Sequence, residues 1–178
     1  MIKWVLQILL IGSLLAGVWF ANHIINSEPR HADRSDDSSP IAHMPSYRLV
    51  DLAGKAHHTS QWSDKVVILN FWASWCPPCQ TEMPALSDLQ DEWGNHGLQV
   101  LGIAIDKADD AKTFSVSHPV SYPLFRGGIT EAKLSKRMGN RLLELPFTAA
   151  FGRDGQLIFA QAGAISAASL RKHIEPLL

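Results

Sequence analysis

Cysteine is scarce in this chain: its 178 residues contain two, Cys76 and Cys79. A small secreted fold stapled by disulfides would use more. A structural zinc site would want a second Cys/His pair at ligand spacing, and none is evident. Covalent c-type haem would need histidine after the second cysteine, where Gln80 stands. A pair at this spacing therefore favours redox chemistry over two cysteines that happen to be buried near each other. Net charge is also nearly lacking, with 16 Lys and Arg against 17 Asp and Glu. From residue 46 onward the two signs balance, 13 against 13. Without a basic excess, nucleic acid is not an expected partner. Recognition should then rest on local shape rather than on a large field.

Formal charge is missing altogether from residues 4–27, just after Lys3. Residues 4–25 are mostly apolar, and about 20 such residues span a bilayer as a helix. Trp4 and Trp19 stand near the ends of the run, where amphipathic rings prefer the interface. The single Lys and the terminal amine favour a cytoplasmic N-terminus, although Arg30 and Arg34 lie on the other side. A cleaved signal peptide is the rival reading, but no clear small-x-small site ends the run. An uncleaved anchor over residues 1–25 is favoured. Residues 26–45 are polar and read as a flexible linker, leaving residues 46–178 as the folded domain.

Within that domain, residues 46–62 read as a hairpin turning at Ala53-Gly54-Lys55. Residues 65–72 and 98–105 are continuous apolar runs, expected for buried strands. A helix should start at Pro77, carry Cys79, Met83, Leu86, Leu89 or Gln90, and Trp93 on one stripe, and be ended by Gly94 and Gly97. Pro84 should kink it. Further helices are expected over 109–117 and 130–138, the latter started by Thr130. A short strand is expected over 122–125. A hairpin over 147–161 should turn at Arg153-Asp154-Gly155, followed by a helix capped by Ser166 with Leu170 and Ile174 inward. Alternating strands and helices imply an α/β sheet with helices on both faces.

Trp-Cys-Pro-Pro-Cys falls where a strand gives way to a helix. Disulfide exchange needs one thiolate to attack and a second thiol to resolve the mixed disulfide. The helix N-terminus should hold the Cys76 thiol below its free value of about 8.5. Cys79, one turn inside, should be the shielded resolving thiol. Pro77 and Pro78 fix the backbone between them.

The run Asn70-Phe71-Trp72-Ala73-Ser74-Trp75-Cys76-Pro77-Pro78-Cys79, with Glu82-Met83-Pro84 after it, resembles the thioredoxin superfamily. More closely it resembles the TlpA/ResA group of membrane-anchored, extracytoplasmic thiol–disulfide oxidoreductases. The resemblance covers residues 46–178. It implies a thioredoxin-like three-layer α/β/α fold with an N-terminal β-hairpin and, between residues 106 and 144, an inserted helix and strand. It also implies a cis peptide at Leu145-Pro146, against the general rarity of cis bonds. Two positions depart from the pattern. Asn70 stands where thioredoxins carry a proton-accepting Asp, and the related role passes to Glu82. Phe147 replaces the usual Thr after the cis proline, which should reshape the substrate groove.

Each assignment has a plainer competitor. Glu82 as a solvated helix residue competes with proton transfer, which its place one turn beyond Cys79 favours. Trp72 reads as core, and Trp75 as part of a docking surface with Pro77, Pro78, Leu145 and Pro146. His43, His57 and His58 read as solvated loop histidines rather than copper ligands, so no metal and no cofactor beyond a Cys76–Cys79 redox disulfide is expected.

The resemblance implies reduction of protein disulfides on the periplasmic side of the cytoplasmic membrane. The partners would be apocytochrome c thiols or copper-site cysteines, with a membrane thiol transporter as electron donor. A disulfide oxidant or isomerase remains a rival. So does a thiol peroxidase, although Pro-x-x-x-Thr-x-x-Cys is absent around Cys76. A non-catalytic metal- or partner-binding module is the third.

Overall fold

In the computed structural model, residues 39–178 are described. The anchor read over residues 1–25 and most of the linker lie outside them. Among the described residues no helix is long and apolar enough to cross a membrane.

Seven strands form one sheet in the order β2-β1-β5-β4-β3-β6-β7. They are β1 Arg48–Asp51, β2 Ala56–His58, β3 Val66–Trp72, β4 Leu98–Ala104, β5 Leu124–Arg126, β6 Phe147–Phe151 and β7 Leu157–Ala162. β3, β4 and β5 run parallel, while β6 pairs antiparallel with both β3 and β7. Every residue of β3 is buried, which explains its unbroken apolar run. Its alternate side chains feed two cores. Val66, Ile68 and Trp72 pack with helix α1 (Pro77–Trp93), with Ala111 of α2 (Ala108–Ser117) and with Leu170 and Ile174 of α4 (Ala167–Ile174). Val67, Leu69 and Phe71 pack on the other face with Leu134 of α3 (Ile129–Arg137), Met138, Trp62 and Ile41. The result is the expected three-layer α/β/α arrangement.

The expected helix stripe is borne out, since Cys79, Met83, Leu86, Leu89 and Trp93 are all buried. The helix passes into a 3-10 turn at Gly94–His96, and the chain leaves through Gly97 at φ 100°, a conformation open to glycine. Ser166 caps α4 by accepting from the Ser169 amide.

Four local expectations change. The folded domain begins before residue 46: Ile41 is buried and its amide donates to the Arg137 carbonyl, while Met44 and Ala42 bond to the turn and strand of the last hairpin. Thr59–Trp62 is a 3-10 turn rather than the end of a strand. The strand expected over 122–125 runs Leu124–Arg126. Thr130 does not start α3. Gly128 is its N-cap, and the Gly128 amide is taken by the Glu131 carboxylate at 2.8 Å.

Candidate active site

β3 delivers the chain to the redox pair, and two side chains fix the loop between them. The Asp106 carboxylate, just beyond β4, accepts from the Ser74 amide at 2.8 Å and the Ser74 hydroxyl at 2.5 Å. Gln80 of α1 donates its side-chain amide to the Ser74 carbonyl at 2.6 Å. Ser74 is thus held through both main-chain groups, between buried Trp72 and Trp75, which is 66% exposed. Trp72 is core and Trp75 is surface, as expected.

Cys76 and Cys79 form a disulfide with their Cα atoms 5.3 Å apart. Cys76 is the extended N-cap of α1, and prolines fill the first two helical positions. Neither proline has an N–H, so the first amide of the helix is that of Cys79. It points at the Cys76 sulfur, 3.3 Å away. A donor aimed at one sulfur favours negative charge there when the bond is reduced. Cys79 is fully buried, whereas Cys76 keeps 3% of its surface. Pro77 and Pro78 are exposed beside it.

Glu82 is not a solvated helix residue. It is 5% exposed, accepts from the Asn70 side chain at 2.6 Å and from the Ile165 amide at 3.2 Å. Burial raises its carboxyl above the ordinary value, and these two hydrogen bonds only partly offset that. Asn70 also donates to Thr148 of β6 at 3.2 Å, its cross-strand partner. Asn70, Glu82 and Thr148 thus form a buried polar group within the core that holds the disulfide. Sequence reasoning missed Thr148 and Asp106, because their partners lie on other segments, and Gln80, because its partner is a main-chain carbonyl that no side-chain pattern marks.

Leu145-Pro146 is a cis peptide, as the resemblance implied. Leu145 is half-buried against the cluster that contains both sulfurs, and the Pro146 carbonyl accepts from the Gly163 amide at 2.8 Å. Buried Asn140 organises the approach to this peptide, donating to the Glu144 carbonyl at 2.9 Å and accepting its amide at 2.8 Å. Phe147 overturns its expectation. It is buried on the opposite face of the sheet, 5.9 Å from Phe71, and does not shape a groove.

The histidines have local partners. His57 pairs with Asp51 at 2.8 Å, and His58 bonds to Ser60 at 2.8 Å and Ser46 at 3.3 Å. Backbone pairing of His43 with Gln156 places that residue beside the last hairpin. Among the described residues no group of three His, Cys, Asp or Glu is placed to hold a metal.

A dithiol–disulfide pair at a strand-to-helix junction, packed with the Leu145 that precedes a cis proline and one helical turn from a buried carboxyl, defines a thioredoxin-fold thiol–disulfide oxidoreductase. The chain belongs to the AhpC/TSA family, whose model matches residues 41–160. Among curated proteins it is 27% identical over 136 residues to the thiol-disulfide oxidoreductase ResA of Bacillus thuringiensis subsp. konkukian, covering 75% of each chain. The thioredoxin-like protein YneN of Bacillus subtilis is 32% identical over 84 residues, 45% of this chain and 49% of that one. Solved structures give the same fold. A thiol:disulfide interchange protein of the thioredoxin family from Chlorobium tepidum superposes with a TM-score of 0.65 at 23% identity, covering 82% of this chain and 99% of that one. A secreted thiol-disulfide isomerase from Corynebacterium glutamicum gives 0.67 at 23% identity, covering 82% and 95%.

Proposed function

We propose that this oxidoreductase reduces disulfides in proteins outside the cytoplasm, held at the membrane by residues 4–25. The observation that carries the reading is the asymmetry of the redox pair: an N-cap sulfur facing a helix amide, and a fully buried partner sulfur near a buried carboxyl. In the reduced protein the Cys76 thiolate attacks a substrate disulfide. One substrate sulfur leaves as thiolate, and Cys76 becomes bonded to the other. Glu82, as carboxylate, takes the proton of the Cys79 thiol. The Cys79 thiolate then attacks the Cys76 sulfur, expelling the second substrate thiolate and closing the Cys76–Cys79 bond. Two electrons pass to the substrate.

Exposed Trp75, Pro77 and Pro78 supply an apolar rim, and half-buried Leu145, before cis-Pro146, packs against the cluster that contains both sulfurs. The resemblance to ResA-type proteins supports apocytochrome c thiols or copper-site cysteines as substrates and a membrane thiol transporter as donor. The redox disulfide serves as the only cofactor in this reading. The test is the state of the pair in cells, read by acid quenching and thiol alkylation. A mostly reduced pair supports a reductase, and a mostly oxidised pair would make the protein an oxidant. An alkaline phosphatase fusion after Pro45 should be active, and an inactive fusion would contradict the location.

A further inference from the structure

Two large apolar side chains stand in solvent on the turn that leads into cis-Pro146. Leu142 is 80% exposed and Leu143 is 41% exposed. Neither belongs to the core cluster on either face of the sheet, so packing does not account for them. Leu143 also has φ 57°, in the left-handed region. Leucine is uncommon there, because its Cβ crowds the following carbonyl, whereas glycine and asparagine adopt it readily. Residues held this way cluster at sites that clamp a ligand.

The turn itself is rigidly supported. Buried Asn140 donates its side-chain amide to the Ser135 hydroxyl at 3.1 Å and to the Glu144 carbonyl at 2.9 Å, and its side-chain oxygen accepts from the Glu144 amide at 2.8 Å. Its main-chain amide donates to the Ser135 carbonyl, and its carbonyl accepts from the Leu143 amide, both at 3.1 Å. The two leucines are thus held out between Asn140 and Glu144, and little ordering entropy is left for a partner to cost. Their place follows from sheet register. Phe71 of β3 and Phe147 of β6 are cross-strand partners where β6 begins. From that rung one chain runs on four residues to exposed Trp75, just before Cys76. The other runs back four residues to Leu143, through Pro146 and the Leu145 that packs with both sulfurs. Both loops leave the same end of the same strand pair. At about 3.5 Å per residue, the Leu143 backbone lies within about 7 Å of that of Leu145. Exposed Arg141 and Glu144 flank the pair with one charge of each sign, so the apolar surface rather than a net field marks the turn.

We propose that Leu142 and Leu143 are specificity-determining residues that seat a bulky apolar side chain flanking the attacked disulfide of a substrate protein. This deepens, and rests on, the reading of protein disulfides as the substrates. The occupant follows from continuity with the redox site: a segment that brings its disulfide to Cys76 lies over the end of the sheet where both loops emerge. No bond changes at the leucines. They remove apolar surface from water before Cys76 attacks and keep it buried through the reaction, so their contribution falls on KM rather than kcat.

The test uses the reduced full chain and cyclic disulfide peptides in which one leucine is moved through the three positions on either side of a cysteine, with serine at the others. An all-serine peptide and a small aryl disulfide are the references. The wild type should prefer its best leucine peptide over the all-serine peptide by about tenfold in kcat/KM, carried in KM, the change expected for partial burial of one leucine side chain. Leu142→Ser combined with Leu143→Asn should bring that preference below about twofold. Leu143→Asn should keep or raise the urea midpoint, because asparagine takes the left-handed conformation at lower cost. A preference that survives in the double variant overturns the proposal. So does a double variant that loses the same factor on every substrate together with a lowered urea midpoint, which would make the leucines part of the fold. If the chain self-associates in sedimentation and Leu142→Ser makes it monomeric, the leucines cover a second copy and the proposal fails. Peptides reduced by the wild type without preference overturn the role of the leucines alone. Reduction of the aryl disulfide but of no peptide overturns the protein-disulfide reading on which it rests.

Discussion

The side-chain amide of Asn70 donates to the Glu82 carboxylate across 2.6 Å, and both groups are buried beneath α1. An amide at this position can stabilise a carboxylate, whereas an acid would have to share a proton with it. Asn70→Asp should therefore create a buried carboxyl pair that holds a proton to higher pH than either group alone. Stability should fall by about 2 kcal/mol at pH 8, with the loss shrinking toward pH 4. Urea denaturation at the two pH values checks this. Equal losses at both would show that the two side chains do not interact as acids.

Glu82 sets a second pH dependence. Burial raises its carboxyl above the ordinary value, so the folded chain holds this proton more tightly than the unfolded chain does. The resulting stabilisation is complete below the ordinary carboxylate value and is lost as pH rises through the raised folded value. Glu82→Gln removes it, so the wild type should lose stability relative to the variant as pH rises from 4 to 8. Resolution of the mixed disulfide should slow by about 100-fold at pH 7. Parallel urea titrations and exchange kinetics provide both readouts.

Asp106 holds the loop before the redox pair through two hydrogen bonds to Ser74, and its other carboxylate oxygen accepts from the adjacent Lys107 amide. Asp106→Ala should cost about 2 kcal/mol in chemical denaturation. It should also slow the first attack on substrate, because Trp75 and Cys76 are no longer fixed. A double-mutant cycle with Ser74→Ala should show coupling between the two positions. Additive effects would place Asp106 outside this loop's support.

Gly102 is needed for its lack of a side chain rather than for its backbone freedom. A Cβ there would stand 2.5 Å from a Leu124 methyl and 3.1 Å from the Tyr122 ring. Gly102→Ala should destabilise by about 1–3 kcal/mol through overpacking, read from the urea midpoint. An unchanged midpoint would mean that Leu124 and Tyr122 can give way without cost.

The parts of this site that are local in sequence could be read from it. Strand β3, the prolines after Cys76, the buried stripe of α1 and the Ser166 cap each depend on residues within one or two turns of each other. The Asn70–Thr148 and Ser74–Asp106 contacts do not, because the partners come from strands brought together only by sheet order. Phe147 was misread for a reason of parity. One residue past cis-Pro146 the strand turns Thr148 toward Asn70 and Phe147 toward the opposite core, where it meets Phe71. The resemblance located the cis peptide, which neither composition nor periodicity could have done.

The central claim is that Cys76 attacks and Cys79 resolves, and it is tested most directly by trapping. Cys79→Ala and Cys76→Ala variants of the full chain are expressed in cells, and adducts are resolved on non-reducing gels. Without Cys79 the mixed disulfide on Cys76 has no internal partner to displace it, so Cys79→Ala should accumulate dithiothreitol-sensitive adducts, whose mass spectra name the substrates. Cys76→Ala should accumulate few, because the remaining sulfur is fully buried. Equal trapping by both variants would contradict the division of roles, and no trapping with full biological activity in both would contradict thiol–disulfide exchange itself.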